Sequence, residues 1–290
     1  MRRAIVTAAL VAALACAPNN PPSTIPVPGN PPAAPPPPAP PPAAPQGLRL
    51  GPSALRYMMR QAIHIEQEFQ GMRQPLDYGL RIFFAVTISG PADSAGYPTT
   101  ITVDSIAPDS GTAAPMGINL GAAKALSFAG RLTPRGEFRR QVPSDSIAAQ
   151  SLSPIVGSFR NFFPRLPGTG MTLGATWTDT TTENDRAAGS VTVTSISRSH
   201  AAAWEDRSGV RTMRVEVTSN FTIKGGGQQA GQPFEVAGAG VRSGVDYIAV
   251  DGRYLGGESH DSTSMTITLP IQAMTIPRTQ VSRTTVTVLP

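Results

Sequence analysis

Two neighbouring stretches of period-two alternation constrain the fold of this chain more than any other feature. From Tyr57 to Phe69 apolar and polar residues alternate, and from Leu76 to Ile88 large apolar residues alternate with smaller or polar ones. Residues that repeat every two positions lie on one face of a β-strand, so each stretch predicts a half-buried strand. A turn-rich break at 71–75 separates them. The pattern therefore predicts a long antiparallel hairpin.

The rest of the chain repeats the signals of strands and turns. Further strands are predicted at 99–106, 171–181, 191–199, 211–223, 234–239, 245–250, 262–269 and 283–289. Residues 131–142 predict a hairpin bent at Pro134-Arg135-Gly136, and Gly225-Gly226-Gly227 is interpreted as a loop tip. We expect a mainly β, α+β fold with long, curved antiparallel sheets. Strands on both sides of one helical segment suggest an internal duplication into two similar lobes, 47–167 and 168–290.

Two segments carry helical signals. In the stronger one, apolar residues recur at spacings of three and four: Leu152, Ile155, Val156, Phe159 and Phe163. This stripe predicts an amphipathic helix with Ser153 as N-cap and Pro154 at the first helical position. A short Ala-rich helix is predicted at 119–129. We expect the stripe to lie against the concave side of the sheet, either close-packed as core or lining an apolar groove.

The N-terminal segment predicts export. Arg2 and Arg3 precede an apolar run of 11 residues that ends in small residues before Cys16, the only cysteine. A transmembrane helix needs about 20 apolar residues, so this shorter run fits a signal peptide at 1–15 instead. The small residues directly before Cys16 resemble the lipobox of bacterial lipoproteins. In that family a peptidase cuts before the cysteine, whose sulfur receives a diacylglycerol group.

The lipobox resemblance implies a membrane anchor in the bacterial cell envelope, formed by acyl chains on Cys16. The protein would then face the periplasm from the outer membrane or lie on the cell surface. Ordinary secretion is the alternative, because Ala13-Leu14-Ala15 also fits the general signal peptidase. Secretion would leave an exposed thiol in an oxidising compartment, so we favour acylation. With its one cysteine acylated, the chain has none for an internal disulfide or a cysteine-based zinc site.

A proline-rich linker follows the cysteine. Residues 17–46 hold 15 of the 30 prolines and no charged residue. Polyproline II rises about 3.1 Å per residue, so such a segment can span roughly 90 Å. We interpret 16–46 as the anchored cysteine and a disordered spacer, followed by an antiparallel β-rich domain at 47–290.

Charge and side-chain chemistry argue against several function classes. Without residues 1–15 the chain has 22 basic and 19 acidic residues, and a net charge of +3 does not indicate nucleic-acid binding. His64 and Glu66 share a strand face, but nothing nearby completes a metal site, so we interpret them as a solvated polar face. His260-Asp261-Ser262 has no accompanying nucleophile elbow, and we interpret it as a turn. No catalytic residue, metal or cofactor is expected.

Three function classes stay open on the sequence. The favoured one is a non-enzymatic binding or carrier module, tethered to a membrane, whose ligand is a lipid or another apolar molecule. The layout of strands and helix behind a lipobox also resembles carrier lipoproteins in which a half-barrel sheet wraps a helical plug and holds acyl chains. The second class is a structural or assembly protein that contacts other envelope proteins, and the third is a hydrolase with a dispersed site. A cavity would favour the first class and an exposed apolar patch the second.

Acylation of Cys16 is directly testable. We expect the membrane-extracted protein to begin at Cys16 and to carry the mass of its acyl groups, measured by intact-mass spectrometry. Several acyl chains hold a protein firmly on a membrane, so Cys16→Ser should release the protein or leave its precursor uncleaved. Ser23→Ala, a few residues further on, should change neither result. An unmodified thiol, or partitioning into the aqueous phase of a detergent split, would contradict the prediction.

Overall fold

The computed structural model describes residues 47–110, 112, 118–185, 190–229 and 231–290. The predicted signal peptide, Cys16 and the linker lie outside these residues. Eleven β-strands run through the described part of the chain: β1 (Ser53–Phe69), β2 (Met72–Ile88), β3 (Tyr97–Pro108), β4 (Ser127–Leu132), β5 (Phe138–Pro143), β6 (Thr176–Asp185), β7 (Ser190–Arg207), β8 (Val210–Gln229), β9 (Gln232–Ala249), β10 (Tyr254–Leu269) and β11 (Met274–Leu289).

All these strands belong to one antiparallel sheet with the order β5-β4-β3-β2-β1-β11-β10-β9-β8-β7-β6. The strands β1 to β5 run outward from the middle of the sheet to one edge. The chain then crosses to the opposite edge, and β6 to β11 return strand by strand until β11 pairs with β1. The prediction of a mainly β protein with a long, curved antiparallel sheet is confirmed.

The two predicted hairpins are present. The strands β1 and β2 pair over their whole length up to a two-residue turn, Gln70 and Gly71, both of which have positive φ. Pro75 therefore lies inside β2, in the part of this strand that β3 does not reach, and a strand tolerates proline where one side is unpaired. The strands β4 and β5 form the second hairpin, with its turn at 133–137.

The glycines at 225–227 correct one prediction, because they lie inside β8 and not at a loop tip. A Cβ atom on Gly225 would lie 2.1 Å from the carbonyl oxygen of Ser190, and one on Gly226 would lie 2.5 Å from that of Phe234. The neighbouring backbones approach so closely that only glycine fits. Glycine is favoured both in a turn and where two strands approach closely, so the run of glycines does not by itself distinguish these two structures.

Two other predicted breaks also lie within strands. The gap left between the strands predicted at 234–239 and 245–250 is the middle of β9, and His260-Asp261-Ser262, interpreted as a turn, is the middle of β10. Each of these strands pairs with a neighbour on both sides. Ladder hydrogen bonds on two sides override weak local preferences for a turn.

The crossing from β5 to β6 is helical, but it differs from the single amphipathic helix predicted from Ser153. It contains α1 (Ser146–Ser151), α2 (Ser153–Val156) and a 3₁₀ turn (Gly157–Asn161). We call residues 146–163 the covering segment. None of the helices in the described part of the chain has the length and hydrophobicity needed to cross a bilayer.

Capping and proline explain why the covering segment begins early and breaks. The side chain of Asp145 accepts hydrogen bonds from the backbone N–H groups of Ile147 and Ala148, which starts α1. Ser153 is not an N-cap: it lies inside α2, and the preceding Leu152 makes no side-chain cap. Pro154 has no backbone N–H, so α1 cannot continue through it as a regular helix.

The predicted Ala-rich helix at 119–129 is mostly not helical. Only a 3₁₀ turn forms, at Leu120–Ala123, where the side chain of Asn119 accepts a hydrogen bond from the Gly121 N–H. From Ser127 onward the chain is β4, which pairs with β3 and buries Phe128. Pairing with a neighbouring strand therefore outweighs the helix propensity of the alanines.

The covering segment packs against one face of the sheet, which we call the inner face. The Phe159 ring centroid lies 5.0 Å from that of Phe84 on β2 and 5.8 Å from that of Phe128 on β4. The Phe162 ring lies 5.1 Å from Tyr57 on β1. The main apolar core is therefore the layer between this segment and the inner face.

Truncation of Phe159 tests this core. Its side chain is fully buried, so we expect Phe159→Ala to lower the free energy of unfolding by about 3–5 kcal/mol through lost contacts and a cavity. The control is Ile147→Ala in the same segment, whose side chain is 83% exposed and whose loss should change stability by less than about 0.5 kcal/mol. Urea unfolding followed by circular dichroism measures both values. Equal effects of the two substitutions would show that the segment does not form the core.

Candidate binding site

The sheet extends well beyond the residues that the covering segment contacts. The aromatic contacts of that segment involve the first part of β1, the last part of β2, β4 and the start of β10. By contrast, β1 alone has 17 residues, roughly 56 Å at about 3.3 Å per residue. We call the sheet formed by 61–78, 219–229, 231–243 and 261–282 the distal half. Its inner face is the candidate site, because it is curved and carries half-buried side chains.

Strand register places a set of apolar side chains together on this face. Ile267 of β10 lies opposite both Val236 of β9 and Ile276 of β11, and Met265 lies opposite Gly238. All members of this set, which we call the distal patch, are half-buried: Phe221, Ile223, Phe234, Val236, Met265, Ile267 and Ile276. A cavity of about 320 Å³ opens here, lined by Phe234, Val236, Ile267, Leu269, Gln232 and Gln272. Its size is in the range of small-molecule sites.

Two glycines of β9 shape the floor of the distal patch. A Cβ atom on Gly240 would lie 2.3 Å from the ring of Phe221, and one on Gly238 would lie 2.6 Å from Cβ of Met265. Because β9 has no side chain at these positions, Phe221 and Met265 extend over it from the two neighbouring strands. The patch is thus a continuous apolar surface across four strands, β8 to β11.

A polar row separates the distal patch from the aromatic core. Nε of Arg242 lies 3.4 Å from a carboxylate oxygen of Asp261, and its Nη2 donates a hydrogen bond to Ser259. The hydroxyl of Ser282 also donates to Asp261, at 3.0 Å. This row consists of ions and hydroxyls that satisfy one another, which allows polar groups to lie half-buried beside apolar ones.

A buried hydrogen-bond chain links β1, β10 and β9 beside the aromatic core. The Tyr57 hydroxyl donates to the backbone oxygen of Tyr254 at 2.7 Å, and the Tyr254 hydroxyl donates to Asp246 at 2.8 Å. Burial raises the pKa of both tyrosines and of the Asp246 carboxyl. These hydrogen bonds therefore fix the positions of the Tyr57, Tyr254 and Asp246 side chains.

Arg278 of β11 is an isolated cation beside the distal patch. Its Nη2 donates to Gln280 at 3.0 Å, whereas its buried Nε donates to no acceptor among the described residues. Burial lowers the pKa of Arg278 and raises that of Tyr78, on which the nearby guanidinium has an opposing, lowering effect. Arg278 is not among the residues predicted from sequence, because no strand is predicted at 274–282. The alternation of Met274, Ile276 and Arg278 is the signal that points this arginine inward.

The residues predicted to form an apolar groove are fully buried, unlike the half-buried residues of the distal patch. All five are buried, at 0–4% exposure: Leu152, Ile155, Val156, Phe159 and Phe163. They belong to the covering segment and pack in the core between it and the sheet, and a ligand that reached them would have to displace protein contacts. A groove at these positions stays a prediction. Cys16 lies outside the described residues.

The three histidines lie on different strands and do not converge. His64 is on β1, His200 on β7 and His260 on β10. His64 Nδ1 lies 2.8 Å from Asp77 Oδ1, and its Nε2 lies 3.6 Å from Glu66 Oε1. Within the described ranges, no three His, Cys, Asp or Glu side chains are placed to hold a metal ion. The Asp77 contact was not recognised from sequence because Asp77 belongs to the neighbouring strand.

Comparison with known proteins gives no family for this chain. It matches no protein-family model and none of the curated proteins. The assignment of a function therefore depends on the geometry of the inner face and on the N-terminal sequence.

The pKa of His64 tests the side-chain geometry of the outer face. The Asp77 hydrogen bond raises this pKa above its ordinary value, and Glu66 adds a smaller effect. We expect Asp77→Asn to lower the pKa of His64 clearly and Glu66→Gln, the matched control, to lower it less, as measured by NMR titration. A raised histidine pKa stabilises the fold below the unfolded pKa, and this contribution is lost as pH rises through the folded pKa. Asp77→Asn should therefore reduce stability near pH 5 more than near pH 8.

Proposed function

We propose that this protein is a membrane-tethered lipoprotein of the bacterial cell envelope whose β domain is a non-enzymatic binding or carrier module for an apolar ligand. Acyl chains on Cys16 anchor it, and the proline-rich residues 17–46 space the domain from the membrane. The observation that carries the proposal is the distal patch with its cavity of about 320 Å³. The lipobox resemblance supports the localisation.

The distal patch is an apolar sheet surface over which the covering segment does not extend. The opposite, outer face of β10 is polar and exposed, with Thr266, Ser264 and Ser262 alternating with the inward side chains of this strand. A sheet with one apolar face normally buries that face against another layer. The covering segment supplies this layer over the aromatic core, and an apolar ligand would supply it over the distal patch.

The layout of the sheet also supports the finer proposal of two similar lobes. Strands β1 to β5 belong to residues 47–167 and β6 to β11 to residues 168–290, and each group forms one continuous meander on its own side of the seam between β1 and β11. We include in the proposal that the two lobes arose by duplication, with the covering segment in the connection between them.

One observation favours a second function, that of an envelope assembly protein. Met72 at the turn after β1 and Ile271 at the turn after β10 are 61% and 71% exposed. Exposed apolar side chains of this kind suit contacts with other envelope proteins. Under this function, Met72→Ser and Ile271→Ser would abolish a protein contact and leave ligand binding unchanged.

Binding of a neutral apolar probe tests the carrier proposal. The mature chain, residues 16–290 with Cys16→Ser, contains every described residue and needs no detergent. We expect it to bind N-phenyl-1-naphthylamine with enhanced fluorescence, and Ile267→Asn to weaken binding about tenfold or more by removing an apolar contact. Thr266→Asn, one residue away on the outer face, should leave binding unchanged.

Two results would contradict the carrier proposal. One is the absence of probe binding by a chain whose circular dichroism and cooperative melting show that it is folded. The other is equal probe affinity of the Ile267→Asn and Thr266→Asn variants, which would place the probe away from the distal patch. Either result favours the assembly function.

A further inference from the structure

We propose that the ligand of the distal patch is an anionic amphiphile, a long-chain carboxylate, whose head group pairs with Arg278. This inference rests on the proposed binding function and names the class of ligand. It is carried by the contrast between Arg278 and the other arginine of the same inner face, Arg242.

The distal half of the inner face has two arginines among the described residues, and only one has a carboxylate partner. Arg242 lies 3.4 Å from Asp261 and donates to Ser259. Arg278 makes one hydrogen bond, to the neutral amide of Gln280, and forms no ion pair with a described residue. A half-buried charge without a counter-charge is unfavourable, so this site is built to accept an anion.

Among the described residues, one other buried arginine nitrogen has no hydrogen-bond partner, but its electrostatic surroundings differ from those of Arg278. That nitrogen is Nε of Arg81, which lies 3.6 Å from an oxygen of Asp109 and so has a negative charge beside it. Nε of Arg278 has no carboxylate within ion-pair distance among the described side chains. The planar guanidinium suits two parallel hydrogen bonds to a carboxylate.

The apolar neighbours of Arg278 on the cavity side indicate that this anion has a hydrocarbon chain, whereas on the β1 side Gln67 lies opposite Arg278. Met265 lies directly opposite Arg278 across the β10–β11 ladder, and Ile276 is the next inward residue on its own strand. Ile267, which lines the cavity, is one strand away and two positions along. With strands about 4.8 Å apart and a rise of about 3.3 Å per residue, this places its Cα roughly 8 Å from that of Arg278. A ligand whose carboxylate pairs with Arg278 can therefore extend its hydrocarbon chain directly into the cavity.

Charge selectivity of the mature Cys16→Ser chain (16–290) tests this inference. The probes are 11-(dansylamino)undecanoic acid and its methyl ester, which share the chain and differ in the negative charge. We expect the wild-type inner face to bind the acid about tenfold or more tightly than the ester, because hydrogen bonds to charged groups are the stronger ones. Arg278→Gln should remove this preference by weakening the acid alone, and Arg278→Lys should retain part of it.

Arg283→Gln is the matched control, because Arg283 lies on the outer face of the same strand and pairs there with Glu258. It should leave both affinities unchanged. Equal binding of acid and ester by the wild-type chain would overturn the carboxylate inference and leave the carrier function standing, and this comparison does not depend on the folding of any variant. Loss of acid preference in Arg283→Gln, but not in Arg278→Gln, would also overturn it. If the folded chain binds neither probe, the carrier function itself fails.

Discussion

The pairing of β1 with β11 is the contact on which the rest of this structure depends. It joins the two meanders, β1 to β5 and β6 to β11, into one sheet through an unbroken register from Arg56 opposite Leu289 to Gln67 opposite Arg278. Closing a loop of this length costs conformational entropy, which side-chain packing must offset. Stacked aromatic rings across the seam supply part of that packing, since Tyr57 and Tyr254 lie 6.3 Å apart and share a hydrogen bond.

The strand order then dictates the position of the covering segment. After β5 the chain is at one edge of the sheet, and β6 is at the other, so the connection must run across a face. An apolar connection that crosses a face buries that face, and here it covers the aromatic part of it. The aromatic contacts of the covering segment lie near one end of the long strands, on Tyr57, Phe84 and Tyr254, so the distal half lies beyond it. The candidate site follows from this position of the covering segment.

Within the distal half, the inner face has a polar part near the core and an apolar part further out. Close to the core, Arg242, Asp261 and Ser282 neutralise and satisfy one another. Further out, the glycines of β9 let Phe221 and Met265 form an apolar floor. Arg278 stands at the side of this floor without a carboxylate among the described residues. An apolar floor with one cation at its side is suited to an amphiphile, which has an apolar chain and a charged head group.

Local signals in the sequence determined the first hairpin, the turn at 134–136 and the apolar stripe of the covering segment, because period-two burial, turn residues and helical spacing act over a few residues. The same local rules failed at 225–227 and at Ser153, where close approach of strands and a better cap at Asp145 decided the outcome. The alternation of Met274, Ile276 and Arg278 indicates that these residues share a face, but only the tertiary structure decided that Arg278 lies beside the distal patch. The strands that form this patch come together through pairings between distant parts of the chain, and such pairings have no local signature that a sequence pattern can reveal.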